Sequence, residues 1–230
     1  MLFRSYVTIS STGNAISFGS LVNSAYDVAG CSSSTRGLFA YGTQGPGFTL
    51  VGSIDYITIS QTGNAVSFGN LYQSRRLNQG FSSSTRGLFA GGNTPVRQNT
   101  IDYTTIASLG NAVYFGDLSS PRSDGGTCAN ATRGVIAGGN VSGTGVNTIE
   151  YVTIASTGNA INFGQLSTAE EAGAACSSPI RGVWAGGAGG AGYINTIQYI
   201  TIQTTGNYNS FGSLTNSRAT RGMACSNGHG

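Results

Sequence analysis

The chain repeats itself five times, and that repetition limits its fold more than any other feature. YVTISSTGNAISFGSL (6–21) returns as YITISQTGNAVSFGNL (56–71), YTTIASLGNAVYFGDL (103–118), YVTIASTGNAINFGQL (151–166) and YITIQTTGNYNSFGSL (199–214). The turn glycine sits at Gly13, Gly63, Gly110, Gly158 and Gly206, with spacings of 50, 47, 48 and 48 residues. A second block, STRGLFAYG (34–42), recurs as STRGLFAGG, ATRGVIAGG and PIRGVWAGG, four times and not five. A fixed period of this length marks supersecondary units that bury their apolar faces only against one another.

Each period divides into four short strands. In the first full copy these are AGCSSS (29–34), RGLFAYG (36–42), SIDYITIS (53–60) and AVSFGNL (65–71). Alternation and β-branching favour strands, and no segment sustains a 3.6-residue period. STAEEAGAA (167–175) alone holds good helix formers, and it is too short to stand as a helix. The first strand is built from Gly, Ala, Cys and Ser, small enough for an innermost strand at a crowded axis. The Thr-Gly-Asn-Ala turn between strands three and four suggests positive φ at Gly and Asn.

The pattern resembles the Kelch repeat. Gly91-Gly92, Gly138-Gly139 and Gly186-Gly187 match that family's second-strand doublet, with Tyr41-Gly42 a departure. Tyr56, Tyr103, Tyr151 and Tyr199 match its third-strand Tyr, while Phe68, Phe115, Phe163 and Phe211 stand where it carries Trp. The resemblance implies an all-β, five-bladed Kelch-like β-propeller with four-stranded antiparallel blades. The expected repeats are 1–27 (partial), 28–77, 78–125, 126–172, 173–221 and 222–230 (partial). The fifth blade is then composite, with its inner strand, Gly222–Asn227, from the C-terminal end and its outer strands from the N-terminal end. Closure of that kind removes exposed strand edges. Met1-Leu2-Phe3 resembles the start of a second strand, but the rest of one is missing.

The long I-D/E-Y-x-T-I-x-x-T-G-N-A-x-x-F-G-x-L array, with T-R-G-x-x-A-G-G, is similar to repeats of virion structural proteins of tailed bacteriophages. That similarity implies a tail or capsid-decoration protein of the virion. Its partners would be other virion proteins and host-surface glycan or protein, with room for a homo-oligomer. A free lectin and a generic Kelch-like interaction scaffold remain alternatives. Five-bladed lectins carry matching Trp-rich sugar pockets, whereas this chain has Trp184 alone.

Catalysis finds no support in the residues. The one histidine is His229, and no Lys occurs, so neither a positioned imidazole base nor amine chemistry is available. No cofactor or metal is expected. Cys31, Cys128, Cys176 and Cys225 share one first-strand position, without CxxC pairing. They read as small buried thiols, with a disulfide or metal ring as the alternative. The net charge of +3 comes from dispersed Arg, which argues against a nucleic-acid surface. No run of about 18 apolar residues suggests membrane insertion, and MLFRSYVTIS reads as a strand and not as a signal peptide.

Arg36, Arg86, Arg133 and Arg181 recur with an acidic position on the third strand (Asp55, Asp102, Glu150, then Gln198), which suggests structural Arg–carboxylate or Arg–carbonyl bonds. In a four-stranded meander the second-to-third and fourth-to-first loops share one face, and here they diverge while the other turns do not. Recognition can use divergence on a rigid scaffold. The expected contact residues are Tyr26, Phe48, Tyr72, Arg75, Arg76, Arg97, Arg122 and Tyr193, since Tyr and Arg are frequent anchors.

Overall fold

The computed structural model describes residues 3–8 and 10–219. All regular structure among them is β-strand, paired antiparallel throughout, and no helix occurs. The segment expected to close the ring, Gly222–Asn227 with Cys225, and also His229 and Met1-Leu2, lie outside the described residues.

Three sheets run in chain order as four strands: Ala29–Ser32, Arg36–Ala40, Ser53–Thr58 and Val66–Asn70; then Gln79–Ser82, Arg86–Ala90, Thr100–Thr105 and Val113–Asp117; and last Ala174–Ser177, Arg181–Ala185, Thr196–Thr201 and Asn209–Ser213. Between the last two comes Gly126–Ala129, Arg133–Ala137, Thr144–Thr153 and Ile161–Glu171, whose outer strands are longer. Phe3–Tyr6 pairs with Ile16–Ser20 as the third and fourth strands of a partial copy. The stretch 167–175, with its helix formers, is instead divided between Ile161–Glu171 and Ala174–Ser177. Its residues have β partners: Glu170 pairs with Val146 and Gly189, and Ala175 with Trp184.

The registers repeat with the sequence. Leu38, Leu88, Val135 and Val183 face Tyr56, Tyr103, Tyr151 and Tyr199 across strands two and three. Each Tyr meets the fourth-strand Phe edge-on, at centroid separations of 5.8–6.2 Å across the repeats. The Arg36, Arg86, Arg133 and Arg181 guanidiniums lie 4.4–4.8 Å from the same Tyr rings. Arg36, Arg86 and Arg133 also donate to the carbonyls of Ile106, Ile154 and Ile202 in the following repeat. These arginines therefore use the carbonyl option and a cation–π stack, and not the third-strand acids.

The invariant T-G-N-A turn belongs to the joint between repeats. Gly63 N donates to Phe18 O and Ala65 N to Ser20 O, while Asn64 Oδ1 accepts from Ser20 N. The same three bonds join Gly110-Asn111-Ala112 to Phe68 and Asn70, and Gly158-Asn159-Ala160 to Phe115 and Asp117. Gly206-Asn207-Tyr208 repeats them on Phe163 and Gln165. Each turn thereby covers the open edge of the preceding fourth strand, the edge that sheet proteins must otherwise protect. The fourth-strand glycine is required by close approach: a Cβ on Gly116 would lie 2.2 Å from Gly158 O. The expectation of positive φ at the turn Asn is corrected here. None of these Asn residues has positive φ, because the Asn serves as a side-chain acceptor.

The core forms between repeats as well as within them. Phe68 packs with Phe89, Ile106 and Ala112 of the next copy, and Phe115 with Ile136, Val152 and Ile154 of its successor. The first strands lie side by side around a common cavity. Ser82 Oγ donates to Ser32 O, and Ser177 Oγ to Ala129 O. A Cβ on Gly80 would lie 2.5 Å from Gly30 O, which explains the small residues there.

Candidate functional site

The two divergent loop sets come together and are more ordered than their sequences suggest. Ala25–Tyr26 pairs with Thr43–Gln44, which pairs in turn with Thr49–Leu50. Arg76 bridges to Asn93, Ser123 to Asn140, and Glu171 to Ala188. Each fourth-to-first loop thus lies on the second-to-third loop of the next copy. The short hairpins in the latter, such as Asn93–Thr94 with Val96–Arg97, were hidden from sequence analysis because two-residue strands carry no period.

Of the eight expected contact residues, four aromatic side chains are exposed: Tyr26, Phe48, Tyr72 and Tyr193. Arg76 is exposed and Arg97 half-buried. Tyr26 and Phe48 stack at 5.1 Å, and Phe48 shares a small cleft of about 260 Å³ with Arg76 and Pro95. Tyr72 instead leans on Tyr114 of a fourth strand, at 6.0 Å, away from that cleft. Tyr193 belongs to the hairpin Ala188–Gly189/Gly192–Tyr193, at the other end of the chain. Phe48 has φ +49°, a left-handed conformation that is costly for a bulky side chain.

Arg75 and Arg122 are corrected. Both are fully buried and cannot be surface contacts. Arg75 is ion-paired to Asp102 and donates to Phe89 O at 2.9 Å, and Arg122 is ion-paired to Glu150. They occupy one repeat position, seven residues after the fourth-strand Phe, where the other described copies have Ala25, Glu170 and Arg218. Their partners occupy another repeat position, on the third strand beside a β-bulge.

That third-strand group has one constant task. Asp55, Asp102, Glu150 and Gln198 accept the backbone N–H of Val22, Tyr72, Ser119 and Ser167, at 2.8–3.0 Å, tying down the preceding loop. The loop residue opposite is matched to it. Where the loop offers only Ala25, Tyr41 replaces the glycine found at Gly91, and its hydroxyl donates to Asp55. Where the loop offers Glu170, the third strand offers Gln198, whose amide donates to that carboxylate at 3.1 Å. Burial raises the Glu170 pKa to about 7, more than the Gln198 hydrogen bond lowers it. Burial also raises Asp102, against the pull of Arg75, and lowers Arg122 against Glu150. Ionic pairs this deep are structural, because losing one partner strands the other charge.

The central cavity, about 770 Å³, is lined mainly by Gly, Ala, Ser and Cys of the first strands. Asp27, Leu77, Asp124 and Ala172 stand at one end of those strands, all with φ of 54–58°. Their shared conformation escaped the sequence because the residue types differ. Asp124 N donates to Leu77 O and Ala172 N to Asp124 O, so the backbone links neighbouring copies there. Cys31 and Cys128 carry free thiols. Burial pushes Cys31 up to about 12 and Cys128 higher still. No group of His, Cys, Asp or Glu suited to a metal occurs among the described residues. Trp184 is 1% exposed.

No family model and no curated protein matches this chain. Its fold is shared with a solved structure. The chain is similar to YjhT with a TM-score of 0.71, over 87% of this chain and 74% of that one, at 10% identity. At that identity the likeness concerns the arrangement of strands.

Proposed function

We propose that the chain is a five-bladed Kelch-like propeller acting as a non-enzymatic binding scaffold. In this reading it is a decoration or tail protein of a phage virion, and its divergent loops contact glycan or protein on the host surface. The virion assignment rests on the resemblance of the repeats. The five-bladed ring is supported by four joints of one design between successive copies. The two remaining halves lie at opposite ends of the chain: the exposed turn at Thr12–Asn14, and the edge at Asn209–Ser213, where Phe211 is 58% exposed against 3% for Phe68.

One observation carries the binding face. Tyr26 and Phe48 are stacked yet 48% and 63% exposed, beside the exposed Arg76, on loops pinned by buried pairs beneath. An unfavourable φ that holds an aromatic ring in water serves contact better than stability. Burying Trp184 removes the one Trp a lectin-type pocket could use. The test is adsorption of purified protein to a panel of bacterial cells and surface glycans. Replacing Phe48 and Arg76 together by Ala should cut adsorption about tenfold or more, as losing two anchors does. Unchanged adsorption in a folded double variant removes this face from the reading.

A further inference from the structure

Two copies treat one loop joint differently. In the copy 126–172, Asn140 opens the second-to-third loop, and its side-chain amide donates to the carboxylate of Glu171 in the fourth-to-first loop. In the copy 28–77 the same two positions hold Thr43 and Arg76. Both line the cleft beside Phe48. Thr43 is 3% exposed, yet its hydroxyl has no hydrogen-bond partner among the described residues. The Arg76 side chain is exposed and joins neither of the two ion pairs found among them. Asp27 comes close to Arg76 at Gly42, but it lines the central cavity and makes no ion pair with it.

The joint that is closed by its own side chains in one copy is thus left open in the other. A buried hydroxyl without a partner costs stability, and here it stands in one cleft with a cation that has no anion. The loops that carry them are fixed: Thr43–Gln44 is paired on both sides, and the Arg76 backbone is bonded to Asn93 in both directions. The polar groups are therefore held in place before any ligand arrives, which lowers the cost of binding.

We propose that this cleft binds a carboxylated pyranose, one uronic-acid unit of a surface glycan. The inference rests on the binding-face reading above and names the ligand chemistry of that face. Arg76 supplies the planar fork of N–H donors that a carboxylate accepts side by side. Phe48 presents its ring to the C–H face of the sugar, with Leu50 and Pro95 completing the apolar wall. The Thr43 hydroxyl and the Asn93 side chain exchange hydrogen bonds with the sugar hydroxyls. At about 260 Å³ the cleft falls just below the range of drug-sized sites, roughly 300–1,000 Å³, which suits one sugar unit. A neutral sugar would leave the guanidinium unanswered, and a simple anion would leave Phe48 and Thr43 unused.

The test is titration of the full chain with methyl glucuronide, methyl glucoside and acetate, read by ligand-observed NMR. The two glycosides differ only in the carboxylate, and acetate carries the carboxylate alone. The glucuronide should bind with a Kd on the order of 1 mM, as suits so small a ligand, and at least about tenfold more tightly than either of the others. Arg76→Gln should bring the two glycosides to equal affinity. Thr43→Val keeps the shape without the hydroxyl and should weaken both glycosides about two- to tenfold, while Tm holds or rises because a buried unpaired group is gone. Equal binding of the two glycosides by the parent chain overturns the proposal. So does a preference that survives Arg76→Gln, or unchanged affinity in Thr43→Val, or no binding of the glucuronide at tens of millimolar. Acetate binding as tight as that of the glucuronide overturns it too, and assigns the cleft to any carboxylate, including an acidic protein side chain. Adsorption lost in the Phe48 and Arg76 double variant, together with equal binding of the glycosides, refutes the sugar assignment and leaves the face standing. A glucuronide preference carried by Arg76, with adsorption unchanged in that variant, supports the sugar site and refutes the adsorption reading.

Discussion

Glu170→Gln offers the sharpest test of the buried loop ties. Glu170 is 2% exposed, and its pKa rises from an ordinary 4.5 to about 7 because burial disfavours the charged form. A carboxyl raised in this way binds its proton more tightly in the folded chain than in the unfolded one. Its contribution is therefore complete below about 4.5 and is lost as pH climbs through about 7. One pKa unit corresponds to about 1.4 kcal/mol, so the loss is on the order of 3–4 kcal/mol. For a chain of this size that amounts to roughly 6–16 °C in Tm. Gln resembles the protonated acid in shape and never ionises. Thermal unfolding at pH 4.5, 6, 7 and 8 should give parent and variant similar Tm values at the acid end. The gap should widen through neutrality, with the variant more stable at pH 8. Parallel curves across the whole range, or a variant less stable at pH 8, would refute the argument that Glu170 is held neutral by burial.

Two further outcomes follow from the joints and the buried pairs. Arg122→Ala leaves Glu150 buried without its cation and should cost about 3–5 kcal/mol in urea unfolding, whereas Arg76→Ala, at an exposed position, should change stability by less than about 0.5 kcal/mol. Equal losses would mean that Arg122 is not a structural residue. Asn111→Ala removes the acceptor for Asn70 N and should lower Tm by about 2–4 °C, the worth of one hydrogen bond in a chain of this length. In a closed ring Asn14→Ala should do the same, because the turn would then cover the Asn209–Ser213 edge. An unchanged Tm for Asn14→Ala would leave that edge open.

The repetition alone determined that the chain is all-β, roughly where the four main strands of each repeat fall, and that the first strand of each repeat is built from small residues. These follow from alternation and side-chain volume, which are local properties of a segment. The sequence also placed Tyr26, Phe48 and Arg76 on exposed loops. It misassigned Arg75 and Arg122, because a charged residue in a loop looks like a surface residue until a partner from another copy is brought against it. Asp102 and Glu150 stand 27 and 28 residues further on, and only the docking of each loop onto the next sheet makes the pairs. The purpose of the T-G-N-A turn was hidden for the same reason. Its glycine and asparagine serve the fourth strand of a different copy, 41–45 residues earlier. A repeat can be read from one chain as a pattern, but what each position of the pattern touches is decided by packing between copies, where distance along the chain no longer matters.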